Sequence, residues 1–245
     1  DPYPLNRTPP QREAPIIIRS ASRHNVVDLS CTLPSQALVG LVGVSGAGKS
    51  TLLFDVIGEA MAGGSKNVSG LETFTRAITI DQQPIGLTVR SDVMTFSDLS
   101  VPLRNFFSKL PQAQALGLQP SDFSPFTSRG MCRRCQGLGY RTVDMRFLPT
   151  ARIPCETCGG LRLNPTSLSV TFNGLTMGHL FGLSIAEVRG LFEDHWKIVR
   201  ILDTLIGVGG SYLRLGQEMA SLSTGEVQRV KLARELASSH RGTTL

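Results

Sequence analysis

A glycine-rich loop between an apolar run and a helix-like segment constrains the fold of this chain most strongly. Residues 37–44, ALVGLVGV, form a short apolar run, which is typical of a strand buried on both faces of a parallel sheet. Residues 43–51 then read GVSGAGKST, which satisfies the pattern G-x-x-x-x-G-K-[ST], and TLLFDVIGEAMA follows as a predicted helix. Strand, loop and helix in this order predict an α/β fold of the P-loop nucleoside-triphosphatase class.

The loop residues divide the work of holding a nucleotide. Glycines let backbone N–H groups curl around phosphate oxygens. Lys49 places a positive charge near the β and γ phosphates, and the Ser50 hydroxyl is a ligand for Mg²⁺. The predicted nucleotide-binding residues of the loop are Gly43, Ser45, Gly46, Gly48, Lys49, Ser50 and Thr51.

Two Cys-x-x-Cys pairs, Cys132 with Cys135 and Cys155 with Cys158, predict a metal site. Four thiolates with this spacing are typical of a closed tetrahedral Zn²⁺ site, and glycines after each pair permit the tight turns that the site needs. Two alternatives fit the cysteines less well. A redox site typically has a single Cys-x-x-Cys pair, whereas this chain has two. DnaJ-like chaperones repeat the motif C-x-x-C-x-G-x-G four times, whereas this chain has one full copy of it. The segment between the pairs alternates apolar and polar residues, which predicts a strand whose buried face carries Val143, Met145 and Phe147.

Basic residues concentrate around these cysteines. The chain has a net charge of +6, and residues 129–162 carry seven arginines against Asp144 and Glu156. Such a cluster favours a polyanionic partner, although a solvated basic surface is the alternative interpretation.

Several classes of protein are disfavoured by the sequence. No window approaches the ~18 apolar residues that a membrane span needs, and the proline-rich N-terminus, predicted to be a linker over residues 1–15, lacks the apolar core of a secretory signal. A cytoplasmic location is therefore expected, with the fifth cysteine, Cys31, in a core rather than a disulfide. The chain does not begin with Met, which suggests a piece of a longer protein.

Near the C-terminus, LSTGEVQRVKLARELA combines a helix start with a recognisable motif. Ser223 and Glu226 form a capping box, and Val227, Val230, Ala233 and Ala237 follow along one side of the predicted helix. The segment resembles the signature motif of ABC ATPases, and its residues are most similar to the version of that motif in the UvrA family. SGLETFTRAITIDQQPIGLTVRS, MRFLPTARIPCETCGGLRLNPTSLSV and LDTLIGVGGSYLRLGQEMASLS are similar to the same family.

The resemblance implies the second nucleotide-binding half of a UvrA-type ATPase, with ATP, Mg²⁺ and Zn²⁺ as cofactors. Ser223 and Gly225 would contact the γ-phosphate of the ATP held by a partner half, and Gln82, or Gln83 beside it, would be the catalytic Q-loop residue together with Lys49. The expected organisation is an ATP-binding core over 16–82, a connecting segment over 83–128, an inserted zinc-bound β-hairpin module over 129–163 and a helical signature subdomain over 164–245.

The same resemblance implies recognition of damaged double-stranded DNA in nucleotide excision repair. The other implied partners are the second nucleotide-binding half, a homodimer partner and a UvrB-like protein bound through a region absent here, with no membrane partner. The predicted DNA contacts are Arg129, Arg133, Arg134, Arg141 and Arg146.

Three departures from the family keep alternatives open. Thr224 replaces a signature glycine, and residues 86–95 depart from the family's sequence after the Q-loop. The chain also ends where the strand with the Walker B carboxylates is expected to begin. The complete protein is therefore expected to be an ATPase, whereas this chain alone is expected to bind nucleotide without normal hydrolysis. A UvrA-like paralogue in drug tolerance, a non-hydrolysing nucleotide-binding fragment and a transporter ATPase are the rival interpretations. Among single residues, His24 and Asn25 are expected in a turn, and Trp196 is expected to pack against a helix.

Overall fold

The computed structural model describes residues 14–35, 37–64, 66–81, 90–145 and 148–238, which divide into two compact units between Thr79 and Ile80. The first unit contains an antiparallel sheet with strand order β2-β1-β3. Its strands are β1 (Ile16–Arg23), β2 (Val26–Leu33) and β3 (Val68–Ser69). His24 and Asn25 form the tight turn between β1 and β2, as predicted from the sequence.

The helix after the glycine-rich loop is confirmed, with an unusual hydrogen-bonding pattern. Thr51–Gly58 is π-helical, and the chain continues directly into the α-helical turn α1 (Glu59–Met61). π-Helical turns are rare and occur often at functional sites. The buried face of this helix presents Leu52, Val56 and Ile57 to Ile18 and Ala21 of β1, so that the small core of the first unit lies directly behind the loop.

The strand predicted over residues 37–44 does not form. These residues carry no strand, and most of the run is exposed, including Val42 at 95%. A parallel strand obtains its hydrogen bonds only from neighbouring strands, and no described strand pairs with this run. The expectation was therefore wrong for this structure, because apolar sequence alone does not supply the neighbours.

The second unit is mainly helical. Its helices are α2 (Val93–Phe96), α3 (Ser100–Ser108), α4 (Pro111–Ala115), α5 (Pro165–Leu168), α6 (Met177–Leu180), α7 (Ile185–Leu191), α8 (Trp196–Gly207) and α9 (Thr224–Ala237). Short 3₁₀ turns occupy Pro120–Phe123 and Met219–Ser221. Most of these segments bury their apolar side chains in one core, whose largest fully buried members include Phe107, Phe123 and Phe192.

Helix α8 departs from one expectation about its first residue. Its buried side chains, Ile198, Leu202 and Leu205, recur at helical spacing and enter the core. Trp196, however, is 66% exposed, so that the prediction of a packed tryptophan was wrong. It begins the helix, where its ring lies 5.5 Å from the Lys197 ammonium.

A two-stranded hairpin extends from the cysteine pairs within the second unit. Strands β4 (Tyr140–Met145) and β5 (Leu148–Pro154) are antiparallel, with Tyr140 opposite Pro154, Arg141 opposite Ile153, and Thr142 opposite Arg152. Side chains directly opposite one another share a face and alternate along each strand. Tyr140 and Arg152 therefore lie on one face of the hairpin, and Arg141 lies on the other.

The buried face predicted for this hairpin is not found at Val143. That side chain is 39% exposed and shares the Arg141 face with Ile153. A two-stranded ribbon has no second layer of its own to bury an apolar face. None of the described helices is long and apolar enough to cross a membrane.

Candidate functional site

The glycine-rich loop adopts a conformation that requires two of its glycines. Gly46 and Gly48 have φ angles of 80° and 86°, in the left-handed region that L side chains rarely adopt. A Cβ on Gly48 would also lie 2.5 Å from Val26 Cγ2, whereas a Cβ on Gly46 would meet nothing within 4 Å. The backbone turn therefore depends on both glycines, and the close packing against β2 depends on Gly48 alone.

The Lys49 side chain is folded back onto its own loop. Its ammonium donates hydrogen bonds to the carbonyl oxygens of Gly43, at 2.8 Å, and Val44, at 2.7 Å. These two acceptors hold the positive charge over the loop, beside the exposed Ser45 and Ser50. The Lys49 ammonium is therefore held at the loop by two neutral carbonyl oxygens, which a phosphate group could replace as acceptors.

The β1–β2 turn supports the loop through a residue that the sequence did not identify as functional. The Asn25 amide donates a hydrogen bond to the Gly46 carbonyl. Its neighbours contact the following helix, since Arg23 pairs with Glu59 and His24 lies 3.5 Å from Asp55. An Asn at a tight turn predicts only the turn itself, so that this second role needed the structure.

The predicted capping box at the start of α9 is confirmed. The Ser223 hydroxyl accepts from the Glu226 N–H, and the Glu226 carboxylate accepts from the Ser223 N–H and hydroxyl at 2.8 Å. Tyr212 donates to the other oxygen of Glu226 at 2.6 Å. The hydrogen bond from Tyr212, followed by those from Ser223, lowers the pKa of Glu226.

The signature residues around this cap are open to solvent. Ser223, Thr224 and Gly225 are exposed, and a Cβ added at Gly225 would meet nothing within 4 Å. The β-branched Thr224 is the first residue of α9 and is accommodated without displacing the cap. Within the described part of the chain the N–H groups of Thr224 and Gly225 have no hydrogen-bond acceptor, and such N–H groups at a helix N-terminus favour an anion.

The four paired cysteines converge on one point. Their sulfur atoms all lie within 4.8 Å of one another and the side chains are buried. Cys132 and Cys155 approach to 3.9 Å between sulfurs, and Cys135 and Cys158 to 3.8 Å. The Gly139 N–H lies 3.2 Å from the Cys135 sulfur, as expected for a knuckle in which the backbone supports a thiolate. This donor set could hold a metal ion.

The protein environment affects two of the thiols differently. Burial raises the pKa of Cys158 to about 12. Burial acts in the same direction on Cys155, but N–H groups of Cys158 and Thr157 directed at its sulfur bring its pKa down to about 7. Cys31 does not join this group and is half-buried against the small core of the first unit.

Three of the seven clustered arginines are occupied by acidic residues. Arg129 holds Asp122 with two hydrogen bonds, of 2.9 and 3.0 Å. The hydrogen bond from Arg129 is the main cause of the lowered pKa of Asp122. Arg152 pairs with Glu218 and Arg162 with Asp92. The predicted DNA residue Arg129 is therefore already engaged in a structural ion pair.

The remaining basic side chains of the module are available. The side chains of Arg133, Arg134 and Arg141 are exposed and form no hydrogen bond or ion pair within the described part of the chain. Arg146, like the predicted catalytic residue Gln82, lies outside the described residues. The structure thus separates arginines that pair with acidic side chains from arginines whose side chains have no partner among the described residues.

The pair formed by Arg162 and Asp92 joins the cysteine module to the helical core. Asp92 is 2% exposed, caps α2 through the Thr95 N–H, and receives Arg162 Nη1 at 3.0 Å. Arg162 also donates to the Gly216 carbonyl at 2.8 Å and lies over the Phe181 ring. Burial raises the pKa of Asp92, and the hydrogen bonds from Thr95 and the charge of Arg162 oppose that rise.

Comparisons with known proteins define first the class and then the relatives. A family model described as ABC transporter matches residues 26–242, and the chain therefore belongs to this family. Within it, the chain is 36% identical to UvrABC system protein A of Micrococcus luteus over 252 residues, which covers 99% of this chain and 25% of that protein. It is 38% identical to the same protein of Escherichia coli K12 over 253 residues, covering 99% of this chain and 27% of the relative.

A solved structure supports the same relationship. The crystal structure of UvrA2 from Deinococcus radiodurans matches with a TM-score of 0.83 at 38% identity, over 100% of this chain and 30% of that one. The resemblance to UvrA inferred from the motifs is confirmed, as is the ABC-type ATPase fold. The chain spans about a quarter of the length of the curated relatives that it matches.

Proposed function

We propose that the chain is part of the second nucleotide-binding half of a UvrA-type ATPase that recognises damaged DNA in nucleotide excision repair. The main support is that three features occur in one chain: a phosphate loop, a capped signature helix, and a four-cysteine cluster flanked by the exposed arginines Arg133, Arg134 and Arg141. A transporter ATPase has no use for such a basic module. The implied setting is cytoplasmic, with a second half, a homodimer partner and a UvrB-like protein as partners.

ATP and Mg²⁺ would be held by the glycine-rich loop. The Lys49 ammonium would exchange two neutral carbonyl acceptors for the β and γ phosphates, which are stronger acceptors because they are charged. Ser50, exposed at the start of the helix, would provide the hydroxyl ligand for Mg²⁺. Glu226 would have to release the Ser223 hydroxyl for a partner's γ-phosphate, and Tyr212 supports this by holding the opposite carboxylate oxygen.

Zn²⁺ is the metal that best fits the cysteine site. A tetrahedral ion with Zn–S bonds of about 2.3 Å separates its sulfurs by about 3.8 Å. Two of the six sulfur–sulfur distances, 3.9 and 3.8 Å, are close to that value, and all four sulfurs lie within 4.8 Å of one another. Zinc with four thiolates is closed to substrate, so that the ion would hold the two knuckles together and take no part in chemistry.

Double-stranded DNA would bind to the outer side of the zinc module. Arg133 and Arg134 line a cleft of about 570 Å³ together with the first cysteine knuckle and Thr166. Arg141 stands on the hairpin face that also exposes Val143 and Ile153. Guanidinium groups pair with phosphates, and the described module offers no recognition helix, so that DNA shape rather than base sequence would be sensed.

The test is a titration of a fluorescent DNA duplex with the chain at several salt concentrations. The proposal expects measurable affinity that falls steeply as salt rises, since each phosphate contact releases counterions. Tighter binding to a lesion-containing duplex is expected from the repair role. Affinity that is absent, or independent of salt, would contradict DNA binding by this chain.

A UvrA-like paralogue with another DNA-linked role is the second candidate. The identity to UvrA2 of Deinococcus radiodurans, 38%, equals that to UvrABC system protein A of Escherichia coli K12. Complementation of a repair-deficient, UV-sensitive strain by the full-length protein separates the two. Restored survival favours the repair role, and sensitivity despite normal expression favours the paralogue.

A further inference from the structure

Glu218 belongs at once to the zinc-module hairpin and to the segment that leads into the signature helix. From the hairpin, Arg152 Nη1 donates to Glu218 Oε1 at 2.9 Å, and the Tyr140 hydroxyl donates to the same oxygen at 3.2 Å. The Arg152 guanidinium also lies 4.4 Å from the centre of the Tyr140 ring. The two hairpin side chains therefore converge on one carboxylate from one face of the hairpin.

The backbone of Glu218 anchors the turn that precedes α9. Its carbonyl accepts from the Ser221 N–H at 2.9 Å and from the Ser221 hydroxyl at 2.8 Å. The Leu222 N–H then bonds the Met219 carbonyl, and Ser223, the cap of α9, follows immediately. Displacement of Glu218 would therefore reach the signature residues within five positions of the chain.

Two of the ion pairs that join the cysteine module to other described parts of the second unit differ in how easily they exchange: Arg162 pairs with Asp92 at the start of α2, and Arg152 pairs with Glu218 before α9. Arg162 and Asp92 are 17% and 2% exposed, which makes their pair a fixed connection. Arg152 and Glu218 are 55% and 24% exposed, so that water and a competing anion can reach them. An exposed pair contributes little to stability, and a phosphate is a suitable competitor for a guanidinium.

We propose that Glu218 is a positioning residue through which the zinc-module hairpin sets the N-terminus of the signature helix, and that a DNA phosphate acts on it by drawing the half-exposed Arg152 away. Arg152 lies on the hairpin face opposite Arg141, so that this phosphate would be a contact additional to those of Arg133, Arg134 and Arg141. The DNA part rests on the proposed function. When DNA binds, loss of the hydrogen bonds from Arg152 and Tyr140 to Glu218 would alter the backbone position of Ser223 and Gly225. These two residues would contact the nucleotide of a partner half.

Amide hydrogen exchange over residues 217–227 tests the proposal without any ligand. Arg152→Met and Glu218→Ala should accelerate exchange at Met219, Ser221, Leu222 and Glu226 by about two- to five-fold, the range expected for loss of an exposed pair. Glu218→Gln keeps an acceptor oxygen for Arg152 and Tyr140 and should restore most of the protection. Arg189→Met, which breaks the exposed pair with Asp203 elsewhere in the second unit, should leave these amides unchanged.

A second arm adds DNA duplex at a concentration at which binding is saturated. The wild-type chain should then show faster exchange at the same amides, and Arg152→Met should show no further acceleration. Unchanged exchange in both Arg152→Met and Glu218→Ala, or an equal effect of Arg189→Met, overturns the positioning role. If DNA binds to the wild-type chain and amide exchange does not change, the coupling to DNA is overturned. If DNA does not bind, the proposed function is overturned, and the exchange experiment without ligand still decides the role of Glu218.

Discussion

At the scale of single residues, ion pairing separates the arginines that hold the cysteine module in place from those that remain available to a partner. The structure brings together the four cysteines that the sequence predicted as one group, because their local spacing encodes such a cluster. The nucleotide-binding role of the loop residues stays a prediction from their spacing. The sequence did not predict which arginines are paired. Arg152 and Arg162 find their partners 66 and 70 positions away, and only the folded chain brings such distant residues together.

The buried pair of Arg162 and Asp92 gives a prediction about stability. Arg162→Met should lower the free energy of unfolding by about 3–5 kcal/mol, since it leaves a buried carboxylate without its partner. Urea unfolding measures the loss. Arg189→Met is the matched control, and a loss of at most about 1 kcal/mol is expected there because Asp203 is half exposed.

The same variant has a defined pH dependence. Burial already raises the pKa of Asp92 above 3.8, so that the folded state binds this proton more tightly than the unfolded state and loses stability as pH rises. Removing Arg162 raises that pKa further. The stability difference between variant and wild type should therefore be smaller at pH 5 than at pH 8, and a difference independent of pH would contradict a buried charge.

The two loop glycines allow steric clash and backbone strain to be distinguished. Gly46→Ala should incur only the cost of a left-handed alanine, about 1–2 kcal/mol. Gly48→Ala adds the 2.5 Å contact with Val26 and should weaken binding of a fluorescent ATP analogue more than Gly46→Ala does. Equal effects of the two substitutions would show that the packing of β2 against Gly48 has no part in shaping the loop.

At the scale of elements, helices were easier to predict than strands. Helix α9 was predicted with its cap and its buried positions Val230 and Ala233, because capping and helical spacing are local properties. The strand expected over residues 37–44 and the buried face expected at Val143 both failed. Each depended on a neighbouring strand or layer that an alternating or apolar pattern cannot supply.

The cysteine module gives a prediction about metal content. The purified chain should contain one zinc ion per molecule, and Cys155→Ser should lose most of it because a structural site needs all four ligands. Cys31→Ser, which changes a cysteine outside the cluster, should retain the full amount. Metal analysis of the three proteins measures this, and zinc retained by Cys155→Ser or lost from Cys31→Ser would exclude the assigned ligand set.

At the scale of the whole molecule, the sequence motifs defined the family, and the structure added the distinction among its charges. The ABC-type fold and the similarity to UvrABC system protein A were both predictable from the loop, the signature and the cysteine spacing. The excess positive charge of residues 129–162 was also visible. Only the structure identifies Arg133, Arg134 and Arg141 as the exposed arginines of this segment whose side chains have no partner within the described part of the chain, and this distinction defines the proposed DNA surface.

The salt dependence of DNA affinity in the double variant Arg133→Gln, Arg134→Gln tests the central claim most directly. The slope of log affinity against log salt should become shallower by about 1.8, since each lost phosphate contact contributes about 0.9. Arg189→Gln, outside the module, should keep the wild-type slope. An unchanged slope in the double variant, with DNA still bound, would contradict the assignment of these arginines as the DNA contact.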